Sequence, residues 1–155
     1  MQKFYHILKP LLICYGLVYL WWACHNSPES PDPAQLQRRV EVREKIKQVL
    51  GDKYHLLVAA ATEQQLKRGR KLYVKLCASC HGGRGQGSGK IAQELIGNPS
   101  NFTDSAQSSF YSEQGRLYII RKGVAGTPMI GWENVLTEDD ILAVYLYVRA
   151  LINAK

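Results

Sequence analysis

The sequence predicts an all-α protein, and three observations carry that expectation. Two stretches, Thr62 to Leu76 and Thr137 to Leu151, begin with helix-start chemistry and continue with apolar residues at helical spacing. No stretch shows the alternation of a strand, and there is no internal repeat. The length of 155 residues suits one ordinary domain, and 46% hydrophobic with 21% charged residues argues against a disordered chain. A net charge of +7 admits a nucleic acid, an anionic membrane or an acidic protein as partner. Four cysteines admit disulfides if the chain is exported.

Residues 1–23 read as an export signal or membrane anchor. Lys3 and Lys9 lead into a 13-residue apolar run, Leu11 to Ala23, and no acidic residue precedes Glu29. The run falls short of the ~17 residues a spanning helix needs. Its end, Trp21-Trp22-Ala23-Cys24, resembles a bacterial lipoprotein cleavage site, with Trp21 where that pattern prefers an aliphatic residue. Cleavage there would leave Cys24 as a lipidated first residue, held by ~0.8 kcal/mol per buried methylene. Two other readings stay open: an uncleaved anchor with Trp21 and Trp22 at the membrane interface, and a buried helix of a cytosolic domain. Residues 24–33 contain Pro28, Pro31 and Pro33 and read as an extended, solvated tether.

Residues 34–61 read as an amphipathic helix and a connector. Asp32 and Pro33 have N-cap and N1 chemistry, and Gly51 is the expected stop. Leu36, Val40, Ile46, Val49 and Leu50 form an incomplete apolar stripe, and Glu41 with Lys45 is an expected i,i+4 pair. Arg38, Arg39, Arg43 and Lys47 make either a solvated face or a docking surface. The apolar stretch Tyr54 to Ala61 is expected to run extended and to pack on the domain.

The main domain is expected over 62–155. Thr62 followed by Gln65 has the form of a capping box. Leu66, Gly69, Leu72, Tyr73 and Leu76 share one face of the helix that follows, and Gly69 there suggests close packing against another helix. Gly82, Gly83, Gly85, Gly87 and Gly89 form a loop, without the lysine-serine ending of a phosphate loop. A third helix is expected from Ser112, carrying Leu117, Tyr118, Ile120 and Arg121 to Gly123. The last helix is capped by Thr137, with Glu138, Asp139 and Asp140 favoured by its dipole. Its apolar stripe is Ile141, Val144, Tyr145, Val148 and Leu151, with Tyr147 beside it.

Cys77-Ala78-Ser79-Cys80-His81 is a C-x-x-C-H run, the attachment motif of c-type haem. Two thiols three positions apart on a helical turn can each add to a vinyl group of one haem. The next residue, His81, is then carried under the iron. A structural zinc site would want a second Cys/His pair, and the other cysteines, Cys14 and Cys24, lie in the export segment. A thioredoxin-like redox pair expects a βαβ context. For the second axial position, Met129 is the only methionine besides Met1. It sits in Gly126-Thr127-Pro128-Met129-Ile130-Gly131-Trp132, a loop stiffened by proline. His6 and His25 lie in the signal and tether, and His55 is the remaining alternative ligand.

From Thr62 to Leu151 the chain resembles the class I cytochrome c family. The resemblance rests on Gly69 and Tyr73 leading into CASCH, the glycine-rich loop, the GTPMIGW loop and the terminal YLYVRAL with Tyr147. Ile130 and Gly131 stand where many relatives have proline and alanine. The resemblance implies a fold of three to five helices around one covalent haem c, here preceded by an extra N-terminal helix. It implies that the first and last family helices cross at Gly69, and that Trp132 packs near the haem. Arg116, Arg121 and Lys122 are candidate partners for the haem propionates.

Histidine plus methionine saturates the iron, which suits one-electron transfer without a substrate position. The expected function is a membrane-tethered monohaem carrier in the cell envelope, on the periplasmic side. It would exchange electrons with a quinol-oxidising complex, a terminal oxidase or a reductase, or act as a subunit of such a complex rather than as an enzyme by itself. The lipid-anchored monohaem subunits of alternative complex III have a similar layout. The alternative is a haem enzyme or gas sensor in which Met129 leaves the iron. A nucleic-acid partner loses to the export signal and to the lack of a recognition motif. On loss of residues 1–23 the charge falls from +7 to +5, an excess that suits docking to an acidic redox partner.

Overall fold

The computed structural model describes residues 32–153, so the expected export signal, Cys24 and most of the expected tether lie outside the described residues. By its contacts the chain divides after Pro33, and the elements beyond that point pack as one unit. In order they are α1 (Pro33–Leu50), a 3-10 turn (Gly51–His55), α2 (Glu63–Leu76), α3 (Ala78–His81), a 3-10 turn (Ala92–Glu94), α4 (Ser105–Ser108), α5 (Glu113–Lys122) and α6 (Glu138–Asn153). The all-α expectation holds: among the described residues the only β pairing is an isolated bridge between Gly123 and Ile130. No helix among them is long and apolar enough to cross a membrane.

α1 runs from Pro33 to Leu50, and Gly51, at φ +53°, ends it. The expected Glu41–Lys45 pair is corrected. Glu41 accepts instead from Gln37 Nε2 at 3.1 Å, one turn earlier, in keeping with the lean of helical side chains toward the N-terminus. The ion pairs on α1 join Glu44 to Arg43 and Lys47. The connector is corrected in part. Its first residues form the 3-10 turn, which buries Tyr54, and only beyond it does the chain run extended. Val58 and Ala61 pack on the core, but Leu57 is 85% exposed.

α2 starts with the expected capping box. Gln65 N–H donates to the Thr62 hydroxyl, and Thr62 N–H donates to Gln65 Oε1. α6 is capped by Thr137, whose hydroxyl accepts from Asp140 N–H at 3.2 Å. The two helices cross at Gly69. A Cβ there would run into the carbonyl of Ala143 and come within 2.9 Å of Tyr147 Cβ. On one side of the crossing Arg68 forms a two-pronged ion pair with Asp140. On the other, Tyr73 and Tyr147 rings lie 5.3 Å apart at 57°. α5 starts at Ser112, whose hydroxyl accepts from Gly115 N–H, and ends at Gly123 with φ +73°.

The core is built from Leu117, Ile120, Ile141, Val144, Tyr145 and Leu146, with Leu66, Leu72 and Trp132 against it. A polar knot ties the connector to this core. Arg149 donates to the carbonyls of Val58 and Ala59 at 2.8 and 2.7 Å and pairs with Glu113, which accepts from Val58 N–H at 2.6 Å. Burial works against the Glu113 carboxylate, yet the Val58 N–H and the Arg149 guanidinium together hold its pKa below the ordinary 4.5.

Two predictions follow from this packing. Gly69→Ala forces the crossing helices apart and is expected to cost ~1–3 kcal/mol or more, read by denaturant unfolding of the haem-loaded protein. A carboxylate with a depressed folded pKa contributes stability above its unfolded value that disappears as pH falls through the folded one. Glu113→Gln is therefore expected to lower stability above pH 4.5 and to flatten its loss below that pH, read as midpoint against pH.

Candidate functional site

The C-terminus of α2 runs directly into the cysteine motif. Cys77 N–H still bonds the Tyr73 carbonyl at 2.8 Å, and Cys77 O then accepts from Cys80 N–H and His81 N–H at 3.2 and 2.9 Å. One helical turn thus carries Cys77, Cys80 and His81, the arrangement expected from their spacing. Gly82, at φ +80°, breaks the turn, and its carbonyl accepts from the Tyr73 hydroxyl at 2.7 Å. Tyr73 is fully buried, so the α2 face at the crossing also fixes the end of the motif.

The glycine loop folds back over this turn. Gly87 N–H donates to the His81 carbonyl, Gly89 N–H to that of Cys80 and Ile91 N–H to that of Ser79. A Cβ on Gly89 would collide with the Ser79 carbonyl, so the loop approaches as closely as only glycine permits.

His81 is held on two sides. Its Nδ1 lies 3.2 Å from the Ser100 carbonyl, which can only accept, so Nδ1 carries the proton. Phe102 stacks on the imidazole at 4.7 Å and 19°. Burial pushes the His81 pKa down and so favours the neutral ring, against the opposing effect of the hydrogen bond to Ser100. The lone pair on Nε2 is then available to a metal. Burial first, and the neighbouring Cys80 second, push the Cys77 thiol up to about 11. A thiol so strongly protonated is not the activated nucleophile of a redox pair. Among the described residues no group of three or more His, Cys, Asp or Glu gathers to hold a metal ion.

Met129 lies half-buried in the loop between α5 and α6. The Val124 carbonyl accepts from both Thr127 N–H and the Thr127 hydroxyl, at 3.1 and 2.8 Å. Met129 N–H donates to that hydroxyl at 3.2 Å, and the Met129 carbonyl accepts from Val124 N–H at 2.8 Å. Trp132 N–H bonds the carbonyls of Ile120 and Arg121, both at 3.1 Å. Its side chain packs on the core from a half-buried position.

The other candidates have different occupations. His55 is exposed, with its ring edge-on to Tyr54. The three proposed propionate partners are already engaged. Arg116 donates to the carbonyls of Ser108 and Tyr111, Arg121 pairs with Glu138, and Lys122 pairs with Glu133. The residues that sequence reasoning missed are Ser100 and Phe102. Ser100 acts through its backbone carbonyl, which has no side-chain signature. Phe102 offered only one signal, an aromatic soon after the glycine loop.

The donor set fits a covalently bound haem: two free thiols and a neutral imidazole on one turn, with the Nδ1 proton already committed. An all-helical domain with this turn between its first family helix and a glycine loop defines a class of haem proteins. The model of the cytochrome c family matches residues 66–151, more than half of the chain, and the protein belongs to that family. Membership carries haem c as the covalent cofactor. Among solved structures, a chain of the reducing HAO-like protein complex of Kuenenia stuttgartiensis is similar, at 28% identity and a TM-score of 0.55. The match covers 62% of this chain and 47% of that one, so this chain spans about half the length of its relative. A search of curated proteins finds no match.

Proposed function

We propose that the protein is a membrane-tethered monohaem electron carrier of the cell envelope, serving respiratory redox partners. The observation that carries this reading is the Cys77–His81 turn, with the His81 proton committed to Ser100, inside a cytochrome c domain. Cys77 and Cys80 would hold the haem through thioether bonds, and His81 and Met129 would ligate its iron. Haem iron bound by histidine and methionine supplies a one-electron couple at raised potential, with no position left for substrate. The chain's own residues do the rest. Ser100 and Phe102 fix the imidazole, and the Thr127 hydroxyl fixes the backbone of Met129.

Partner choice is supported by the exposed side of α2. Lys67, Arg70, Lys71 and Lys75 follow helical spacing there, with Val74 60% exposed among them. None of these four cations takes part in an ion pair among the described residues. Such a strip steers an acidic surface toward the end of α2 where the motif begins. The similar chain in a reducing HAO-like protein complex supports partnership with other redox proteins. Export, cleavage before Cys24 and acylation of Cys24 complete the proposal, since a tether raises the effective concentration of a carrier near a membrane-bound partner.

Two measurements test this reading. Met129→Ala is expected to lower the reduction potential and to abolish the weak red-end band of iron–methionine sulfur ligation in the ferric spectrum. An unchanged potential and spectrum would remove Met129 from the iron. The intact mass of membrane-extracted protein is expected to show one haem, loss of residues 1–23 and acyl chains on Cys24. A full-length mass with haem alone would replace the lipid anchor by an uncleaved one.

A further inference from the structure

We infer that α1, which lies outside the family-matched residues, positions the His81 imidazole by clamping the segment 98–107. The inference rests on His81 being an axial ligand. Gln35 Nε2 donates to the carbonyl of Asn98 at 3.1 Å, and Arg39 Nη2 donates to the carbonyl of Gln107 at 3.2 Å. α1 therefore grips the segment at both ends. Between the grips lie both groups that touch the imidazole, the Ser100 carbonyl at 3.2 Å and the Phe102 ring at 4.7 Å.

Gln107 passes the constraint inward. Its Oε1 accepts from Asn101 N–H at 3.1 Å, directly beside Ser100, and its own N–H donates to Asp104 at 3.0 Å. Arg39 is in turn fixed in place. Its guanidinium sits over the Phe110 ring at 4.5 Å, as does that of Arg43, and its carbonyl accepts from the Tyr111 hydroxyl at 3.3 Å. On its inner side the segment bonds through Phe102 N–H to the Gly85 carbonyl at 2.7 Å, and the glycine loop packs on it at Gly87, where a Cβ would meet the Pro99 carbonyl. That bond fixes Phe102. The contacts of α1 and Gln107 bracket Ser100 at Asn98 and Asn101.

The chemical consequence lies in the Nδ1–H bond. A carbonyl accepting from Nδ1 orients the ring and raises the basicity of the other nitrogen. A more basic ligand favours ferric iron and lowers the potential. Gln35 and Arg39 are thus positioning residues, acting on the iron through Ser100 and His81.

The test compares haem-loaded wild type with Gln35→Ala and Arg39→Gln, and with Arg38→Ala as the α1 control. The readouts are solvent exchange of the His81 ring N–H by NMR in the reduced state, and the reduction potential. Loss of one supporting hydrogen bond is expected to speed ring N–H exchange by up to about tenfold. The potential is expected to shift upward in both variants and to stay at the wild-type value in Arg38→Ala. Unchanged exchange and potential in both variants would overturn the inference and show that the contacts of the glycine loop suffice. If Arg39→Gln fails to fold, Gln35→Ala, at an exposed contact, decides alone. Failure of the underlying reading is separate: it would appear in wild type, as the absence of a haem-shifted ring N–H from His81.

Discussion

Two helix backbones meet where Gly69 of α2 faces Ala143 of α6, at a distance that leaves no room for a side chain on α2. Most of the remaining geometry depends on that approach. It brings Tyr73 and Tyr147 into ring contact and lets Arg68 reach Asp140. It also buries Tyr73 completely, so that its hydroxyl points at the Gly82 carbonyl just beyond the motif. The position of the cysteine turn is therefore inherited from a packing contact two turns earlier in the same helix. A small residue at the crossing gives up helix propensity of about 1 kcal/mol for a contact that orients the site.

Around the turn, the chain surrounds one imidazole with backbone rather than side-chain polar groups. The glycine loop supplies N–H donors to the carbonyls of Ser79, Cys80 and His81, and Ser100 supplies an acceptor to Nδ1. Backbone groups carry no net charge, so they fix the ring without adding a competing titration. The pairs Arg149–Glu113, Arg121–Glu138 and Lys122–Glu133 involve no residue of the turn. Arg121 and Lys122, two of the candidate propionate partners, take part in these pairs.

Much of this was legible before the structure, because the informative chemistry is local. The Thr62–Gln65 box, the Ser112 and Thr137 caps, the Gly51 and Gly123 stops and the cysteine turn each depend on residues within about one helical turn. Gly69 was legible for a different reason, since a glycine inside an apolar helical face has few uses besides close approach. The rest is set by tertiary contacts. Arg39 reaches Gln107 across 68 positions, and nothing in either residue's neighbourhood announces it. Ser100 serves through a carbonyl that every residue possesses. Glu41 was matched with the wrong neighbour because spacing ranks charge above side-chain direction, and Gln37 lies where Glu41 leans.

The loop that carries Met129 closes on itself. One hydroxyl, that of Thr127, donates to Val124 and accepts from Met129, while Val124 and Met129 bond directly through their backbones. These bonds hold the backbone of the segment through the peptide itself. The entropy of ordering it is lost once, when the chain folds, and not again each time a contact at the sulfur is made or broken. Mechanically the loop is a spring already at rest. A contact at its tip could then be made or broken without reordering the backbone around Met129.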